Sequence, residues 1–170
     1  MFAVQIDAMN HPTPLRYRVL FVCMGNICRS PTAHGVFEAK VREAGLADRI
    51  EVDSAGTHSY HVGAPPDPRS QAHAIRRGYD LSAQRARRLV AQDFERFDLV
   101  LVMDAANETH ARPLCPPGQH HRLRRLTDYC TTLQVSEVPD PYYGGAAGFE
   151  QVLDIVEDAC HGLLATLAPR

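Results

Sequence analysis

The run Val-Leu-Phe-Val-Cys-Met-Gly-Asn-Ile-Cys-Arg-Ser-Pro at residues 19–31 constrains this chain more than any other segment. Val19 to Val22 are continuously apolar, the pattern of a strand buried on both faces. A short loop with Gly25 and Asn26 follows, and Arg29-Ser30-Pro31 opens a helical pattern. A strand, a small-residue loop and a helix start leave main-chain N–H groups pointing at one spot, which is an anion site. Cys23 lies at the floor of that site and Arg29 at its rim, so the arrangement suits a phosphate monoester and implies thiol-dependent phosphate chemistry.

The spacing Cys-x5-Arg alone carries little weight. Lys40 is the only lysine, so arginine supplies nearly all the basic charge and accidental matches come easily. Position carries the argument, because this match sits directly after a β-like run and directly before a helix start, where the chemistry requires it.

A chain of 170 residues, 45% of them hydrophobic, is long enough to bury a full core in one domain. The net charge of −2 gives no sign of a nucleic-acid or membrane-surface partner. Arg122, Arg124 and Arg125 read as a solvated edge rather than a polyanion site. No apolar run approaches the ~20 residues of a membrane span. The first fifteen residues contain Asp7 and lack a basic start with an apolar core, so no signal peptide is expected. Residues 1–16, with His11-Pro12-Thr13-Pro14, read as a flexible extension before a domain over 17–170. The five cysteines, at 23, 28, 115, 130 and 160, are scattered and odd in number, which fits a reducing, cytoplasmic setting. His120-His121 and the pair His58 and His61 lack partner ligands at metal spacing and read as loop histidines. No metal or cofactor is expected.

Strand-like and helix-like segments alternate. Strands are expected over 17–22, 50–53, 97–103 and 121–126. Helices are expected from Pro31 to a stop at Gly45, over 69–77 ahead of Gly78, over 83–90, from Ala105, and from Phe149 onward, where Val152, Leu153, Val156, Cys160, Leu163, Leu164 and Leu167 share a stripe. This alternation predicts an α/β fold, a single domain with a parallel sheet and helices on both faces. Ligands in such folds sit beyond the carboxyl ends of the strands, where Cys23 lies.

Phosphate ester hydrolysis needs a nucleophile, charge stabilisation on the transferring group and a proton for the leaving oxygen. Cys23 is the candidate nucleophile, since surrounding amides and a guanidinium can draw a thiol's pKa from near 8.5 to ~3.5–7.5. Arg29 has the planar fork that grips two phosphate oxygens. Gly25 permits unusual backbone angles and Asn26 tolerates positive φ. Ser30 is a hydrogen-bond donor for the departing thiolate. The acid must be a carboxyl on a turn segment. Asp140, in Val138-Pro139-Asp140-Pro141-Tyr142-Tyr143-Gly144-Gly145, is one candidate, with two tyrosines to wall an aromatic leaving group. Asp67-Pro68 is the other, and spacing does not separate them.

With Val22–Pro31 and Asp140-Pro141-Tyr142-Tyr143 together, the sequence resembles the low-molecular-weight protein tyrosine phosphatases over residues 17–168. Asp53–Thr57, Pro66–Arg69 and Met103-Asp104 support the likeness. The resemblance implies a four-stranded parallel sheet with its phosphate-binding loop after strand one, no metal, and a cysteinyl-phosphate intermediate. It implies Cys23 as nucleophile, Arg29 as phosphate clamp, and Asp140 as general acid and then base. It also implies Asn26 and Ser54 as supports of the loop, and Ser30 as partner of the thiolate. A wall of Met24, Tyr60, Tyr142 and Tyr143 would face substrate, beside Gly25, Ile27 and Cys28 of the loop. Cys28 is implied as a reversible disulfide partner of the nucleophile, a guard against overoxidation. Gln84 stands where many relatives carry a supporting histidine.

The expected partners are phosphotyrosine proteins and inorganic phosphate, as product and competitive ligand, with the chain a monomer or weak dimer. Arginine phosphatases share the scaffold, but usually carry threonine where Ile27 stands and lack the paired tyrosines. Arsenate reductases need two further cysteines close together, whereas Cys115 and Cys130 are far apart. An idle anion-binding module would not need nucleophile, clamp and acid together.

Overall fold

The computed structural model describes residues 16–168; the expected extension over 1–16 lies outside them except for Arg16. Four strands form one parallel sheet: β1 (Tyr17–Cys23), β2 (Ile50–Gly56), β3 (Leu99–Val102) and β4 (Leu123–Arg125), in the order β2-β1-β3-β4. The helices are α1 (Arg29–Glu43), α2 (Pro68–Arg76), α3 (Asp93–Arg96), α4 (Ala105–Ala111) and α5 (Ala146–Leu167).

Side chains alternate across β1, so its apolar run feeds two cores. Val19, Phe21 and Cys23 face the layer made by α1 and α5, with Val36, Phe37, Val152, Val156 and Cys160. Leu20 and Val22 face the opposite layer, with Leu89, Phe94, Phe97, Val100 and Val102. Each such side chain contributes roughly 1.5–3 kcal/mol on burial. At Gly162 of α5 a Cβ would stand 1.9 Å from the Tyr129 carbonyl, so only glycine lets the helix lie this close to the 126–129 turn.

The chain runs from β1 to β2 on one side and reaches β3 on the other, so the direction of winding reverses at the carboxyl end of β1. That crevice is where open parallel sheets bind ligands, and Cys23 sits in it.

One expected helix is absent. Residues 83–90 form no helix, because their backbone bonds elsewhere: Gly56 donates its N–H to Arg87 O at 2.8 Å, and Leu89 donates to Gly56 O at 2.7 Å. Arg88 makes an isolated parallel bridge with Gly56. Strands 3 and 4 are shorter than the apolar pattern suggests, and α5 begins three residues before Phe149. Among the described residues, no helix is long and apolar enough to cross a membrane.

Candidate active site

Residues 23–29 wrap from the end of β1 into the first turn of α1. Asn26 takes the left-handed conformation, with φ 57°. Gly25 does not, contrary to the expectation from sequence. A Cβ there would come 2.9 Å from His61 Cδ2, so a side chain at this position would push the His61 ring aside. Gly56, at the end of β2, is confined more strictly, by backbone: a Cβ would stand 2.7 Å from Met24 O. That close approach lets Thr57 and His58 donate backbone N–H bonds to Cys23 O and Met24 O at 2.9 and 3.0 Å, so β2 holds the loop from beside.

The loop is braced from beneath by side chains. Asn26 is only 3% exposed. Its Nδ2 donates to Ser30 Oγ at 2.7 Å and to Ser54 Oγ at 3.0 Å, and its Oδ1 accepts the Arg87 N–H at 3.0 Å. Ser30 Oγ lies 3.1 Å from Cys23 Sγ. Asn26 and Ser30, implied by the resemblance as a support of the loop and a partner of the thiolate, sit behind the loop rather than in the cavity, because their polar atoms are taken up in shaping it. Asp67 donates its backbone N–H to Ile27 O at 2.8 Å, a further brace.

Arg29 is 2% exposed. Its Nη1 donates to Asp104 Oδ2 at 2.5 Å and to Val138 O at 3.0 Å, and its Nη2 lies 3.7 Å from Asp140 Oδ2. Burial opposes its charge, but the Cys23 sulfur, Asp104 and Asp140 outweigh burial and raise its pKa. Asp104 also caps α4 by accepting the Asn107 N–H at 2.7 Å. One carboxylate thus ends β3, starts α4 and aims the guanidinium. Sequence reasoning gave Asp104 no such role; its position one residue after an apolar strand and before a helix was the available signal.

A cavity of about 490 Å³ opens over this loop. Cys23, Gly25, Ile27, Cys28 and Arg29 form its floor, and Met24, Tyr60, His61, Asp140, Tyr142 and Tyr143 its walls. His61, read from sequence as a loop residue, lies in the wall. Tyr142 packs edge-on against Tyr143 at 4.9 Å and under the Arg69 guanidinium at 5.4 Å. Asp140 accepts the Tyr142 N–H at 3.1 Å. The segment carrying Asp140 is tied to β3 where Val138 donates its N–H to Met103 O at 2.8 Å.

Asp67 has a different setting. It caps α2 by accepting the Arg69 N–H at 2.8 Å, and the Arg69 side chain grips both its oxygens. Burial raises its pKa, but the bonds from Arg69 win and the net shift is downward. It does not line the cavity. Cys28 is buried, and burial, together with Asp67 and the Cys23 sulfur, pushes its thiol up to about 12, against the pull of a Ser70 hydrogen bond. Cys115 packs in the core on one face of the sheet and Cys130 against the core on the other, so they do not form a thiol pair. Arg122 donates to Phe94 O and Phe97 O, and Arg125 pairs with Glu108, so this cluster is structural. Among the described residues, no three His, Cys, Asp or Glu side chains gather as a metal site.

Comparison with known proteins agrees with this geometry. The sequence model for "Low molecular weight phosphotyrosine protein phosphatase" matches residues 18–170. The chain is 46% identical over 156 residues to the Streptomyces coelicolor low molecular weight protein-tyrosine-phosphatase, covering 90% of this chain and 94% of that protein. It is 36% identical over 148 residues to the human low molecular weight phosphotyrosine protein phosphatase, covering 86% and 92%. Among solved structures, a protein tyrosine phosphatase from Entamoeba histolytica superposes with a TM-score of 0.86 at 42% identity, covering 89% and 96%. YfkJ from Bacillus subtilis does so with 0.85 at 36%, covering 92% and 97%. On the match over 18–170 and these relatives, the chain belongs to the low molecular weight phosphotyrosine protein phosphatase family.

Proposed function

We propose that this chain, as a low molecular weight protein tyrosine phosphatase, hydrolyses phosphotyrosine in proteins through a phosphorylated Cys23. The reading is supported above all by one observation: Cys23, Arg29 and Asp140 line the same cavity. The Cys23 thiolate attacks phosphorus in line with the tyrosyl oxygen, and the P–O bond breaks as the S–P bond forms. Arg29 and the loop amides hold the equatorial oxygens, whose charge is spread in the transition state. The Asp140 carboxyl gives its proton to the departing phenolate. The resulting carboxylate then takes a proton from the water that attacks the cysteinyl phosphate, and Ser30 supports the sulfur as it leaves. Inorganic phosphate is the product, and the same loop makes it a competitive ligand.

Tyr60, Tyr142 and Tyr143 give an aromatic wall suited to a phenyl ring. The five cysteines are free, which is consistent with a reducing, cytoplasmic setting. The deciding experiment is turnover of para-nitrophenyl phosphate in EDTA. Wild type turns over, Cys23→Ser gives none, and Asp140→Ala lowers kcat by about 10²–10⁴. Residual activity in Cys23→Ser rejects the nucleophile, and a change confined to KM in Asp140→Ala rejects the acid.

A further inference from the structure

The brace beneath the loop ends on a titratable side chain that the mechanism above does not use. Ser54 Oγ accepts the Asn26 Nδ2–H at 3.0 Å, and two acceptors are in reach of its own proton. Gln84 Oε1 lies at 3.4 Å and His34 Nδ1 at 3.3 Å. Gln84 cannot turn its amide freely, because its Nε2 donates to Pro31 O at 2.9 Å, which keeps its oxygen toward Ser54. His34 comes from α1, one turn after the loop, and its other nitrogen, Nε2, faces Glu38 Oε2 at 3.3 Å.

The hydrogen bonds that join His34 to Ser30 are kept in two proton arrangements. With His34 neutral and its Nε2–H toward Glu38, Nδ1 accepts the Ser54 proton. With His34 protonated, Nδ1 donates to Ser54, whose own proton must turn to Gln84. In both, Asn26 keeps one N–H on Ser54 and the other on Ser30. Ser30 in turn has its proton to share between Cys23 Sγ at 3.1 Å and Ala55 O at 3.3 Å. An unbroken chain of hydrogen bonds therefore runs from the imidazole to the sulfur.

We propose that His34 is a positioning residue whose protonation is linked to ionisation of Cys23 through Ser54, Asn26 and Ser30. Its imidazole reaches Ser54 from α1, and the Gln84 amide reaches the same hydroxyl. A protonated His34 turns the Ser54 proton to Gln84 and places a positive charge behind the loop, and that charge favours a thiolate. The charged groups around it are Glu38 and, beyond that carboxylate, Arg42 on its own helix. From β2 comes Asp53, which is paired with Arg87, and Arg87 also grips Asp93 of α3. Glu38 is held low, chiefly by its hydrogen bond to His34, so a carboxylate faces the imidazole Nε2.

The inference rests on Cys23 being the nucleophile, and the test separates the two. Iodoacetate alkylation is followed against pH in wild type and His34→Gln, with the labelled residue located by mass spectrometry and kcat/KM for para-nitrophenyl phosphate recorded alongside. Glutamine keeps polar contact with Ser54 and removes the titration. The expected result is a wild-type profile with one more ionisation than the variant. The variant's alkylation midpoint should rise by up to about one pH unit, an up to tenfold loss of rate at fixed low pH. The exchange variant His34→Gln with Gln84→His restores the extra ionisation, because an imidazole again reaches Ser54. Profiles that superimpose, or a pH-independent fall in rate, overturn the role of His34 alone. A label outside Cys23 overturns both readings.

Discussion

The floor and the wall of the cavity are built in opposite ways. Beneath the floor the polar side chains have fixed partners: Asn26 makes three hydrogen bonds, and Arg29 Nη1 is held by Asp104 and the Val138 carbonyl. In the wall, Tyr60 is 73% exposed and Tyr143 is 95% exposed, with ring packing against neighbours as their tie. The difference follows from what each half must do. Stabilising charge that develops on phosphorus demands donors already in place, since reorientation during the reaction would cost what the interaction gains. Receiving different peptides around one phenyl ring demands surface with no prior commitment. Rigidity in this molecule is therefore spent on phosphate, and exposure on the protein that carries it.

Substituting Arg29 by lysine probes the floor most severely. Lysine keeps the positive charge but offers one ammonium where the fork now meets Asp104, Val138 O and the phosphate site. The Asp104 carboxylate and the Val138 carbonyl would compete with phosphate for that single group. A fall in kcat of about 10²–10³ is expected with the fold intact. A loss smaller than tenfold, measured with para-nitrophenyl phosphate, would mean that charge suffices and that the held geometry of the floor has no catalytic weight.

The burial of Cys28 in the floor has a consequence for stability. Its folded pKa is about 12 against 9.0 as the reference value, so the folded state keeps a proton that the unfolded chain loses first. Folding then contributes stability that is complete below pH 9 and fades as pH rises toward 12. Cys28→Ala removes this term. Between pH 9 and 11, thermal melts of the wild type should lose a few degrees more than those of the variant. Parallel losses in the two proteins would show a thiol in contact with water, and a floor more open than its hydrogen bonds imply.

How much of this was legible depended on the sequence distance between partners. Strand, loop and first helix turn lie within residues 17–43 and follow one local pattern, so their form could be read directly. The choice between Asp140 and Asp67 could not, because both sit in Pro-flanked turns. The resemblance pointed to Asp140, and the fold turns Asp67 toward Arg69 and the start of α2, and Asp140 over Arg29. Residues 83–90 misled for a related reason. They have helical periodicity, but Gly56, about thirty residues earlier, claims their N–H and C=O groups, and tertiary pairing overrode local preference. His34, His61 and Asp104 acquire their partners across similar or greater separations. A histidine at position 34 reads as one more polar helix residue until β2 brings Ser54 against it.

The smallest predicted effect falls on the wall and tests its side of the contrast. Tyr143 is held by edge contact with Tyr142. Its removal should leave folding within the ±0.5 kcal/mol usual for exposed positions. With para-nitrophenyl phosphate, which ends at the ring, Tyr143→Ala should keep kcat and KM within about twofold of wild type. With a phosphotyrosine peptide long enough to cross the rim, KM should rise by about 3–10-fold at constant kcat, the loss of one aromatic contact. Binding that is equal in ground and transition state moves KM alone, so this split is what a recognition surface predicts. Should kcat fall on both substrates alike, Tyr143 would be helping to set Asp140 through the short 140–143 turn. The wall would then belong with the floor as part of the catalytic apparatus.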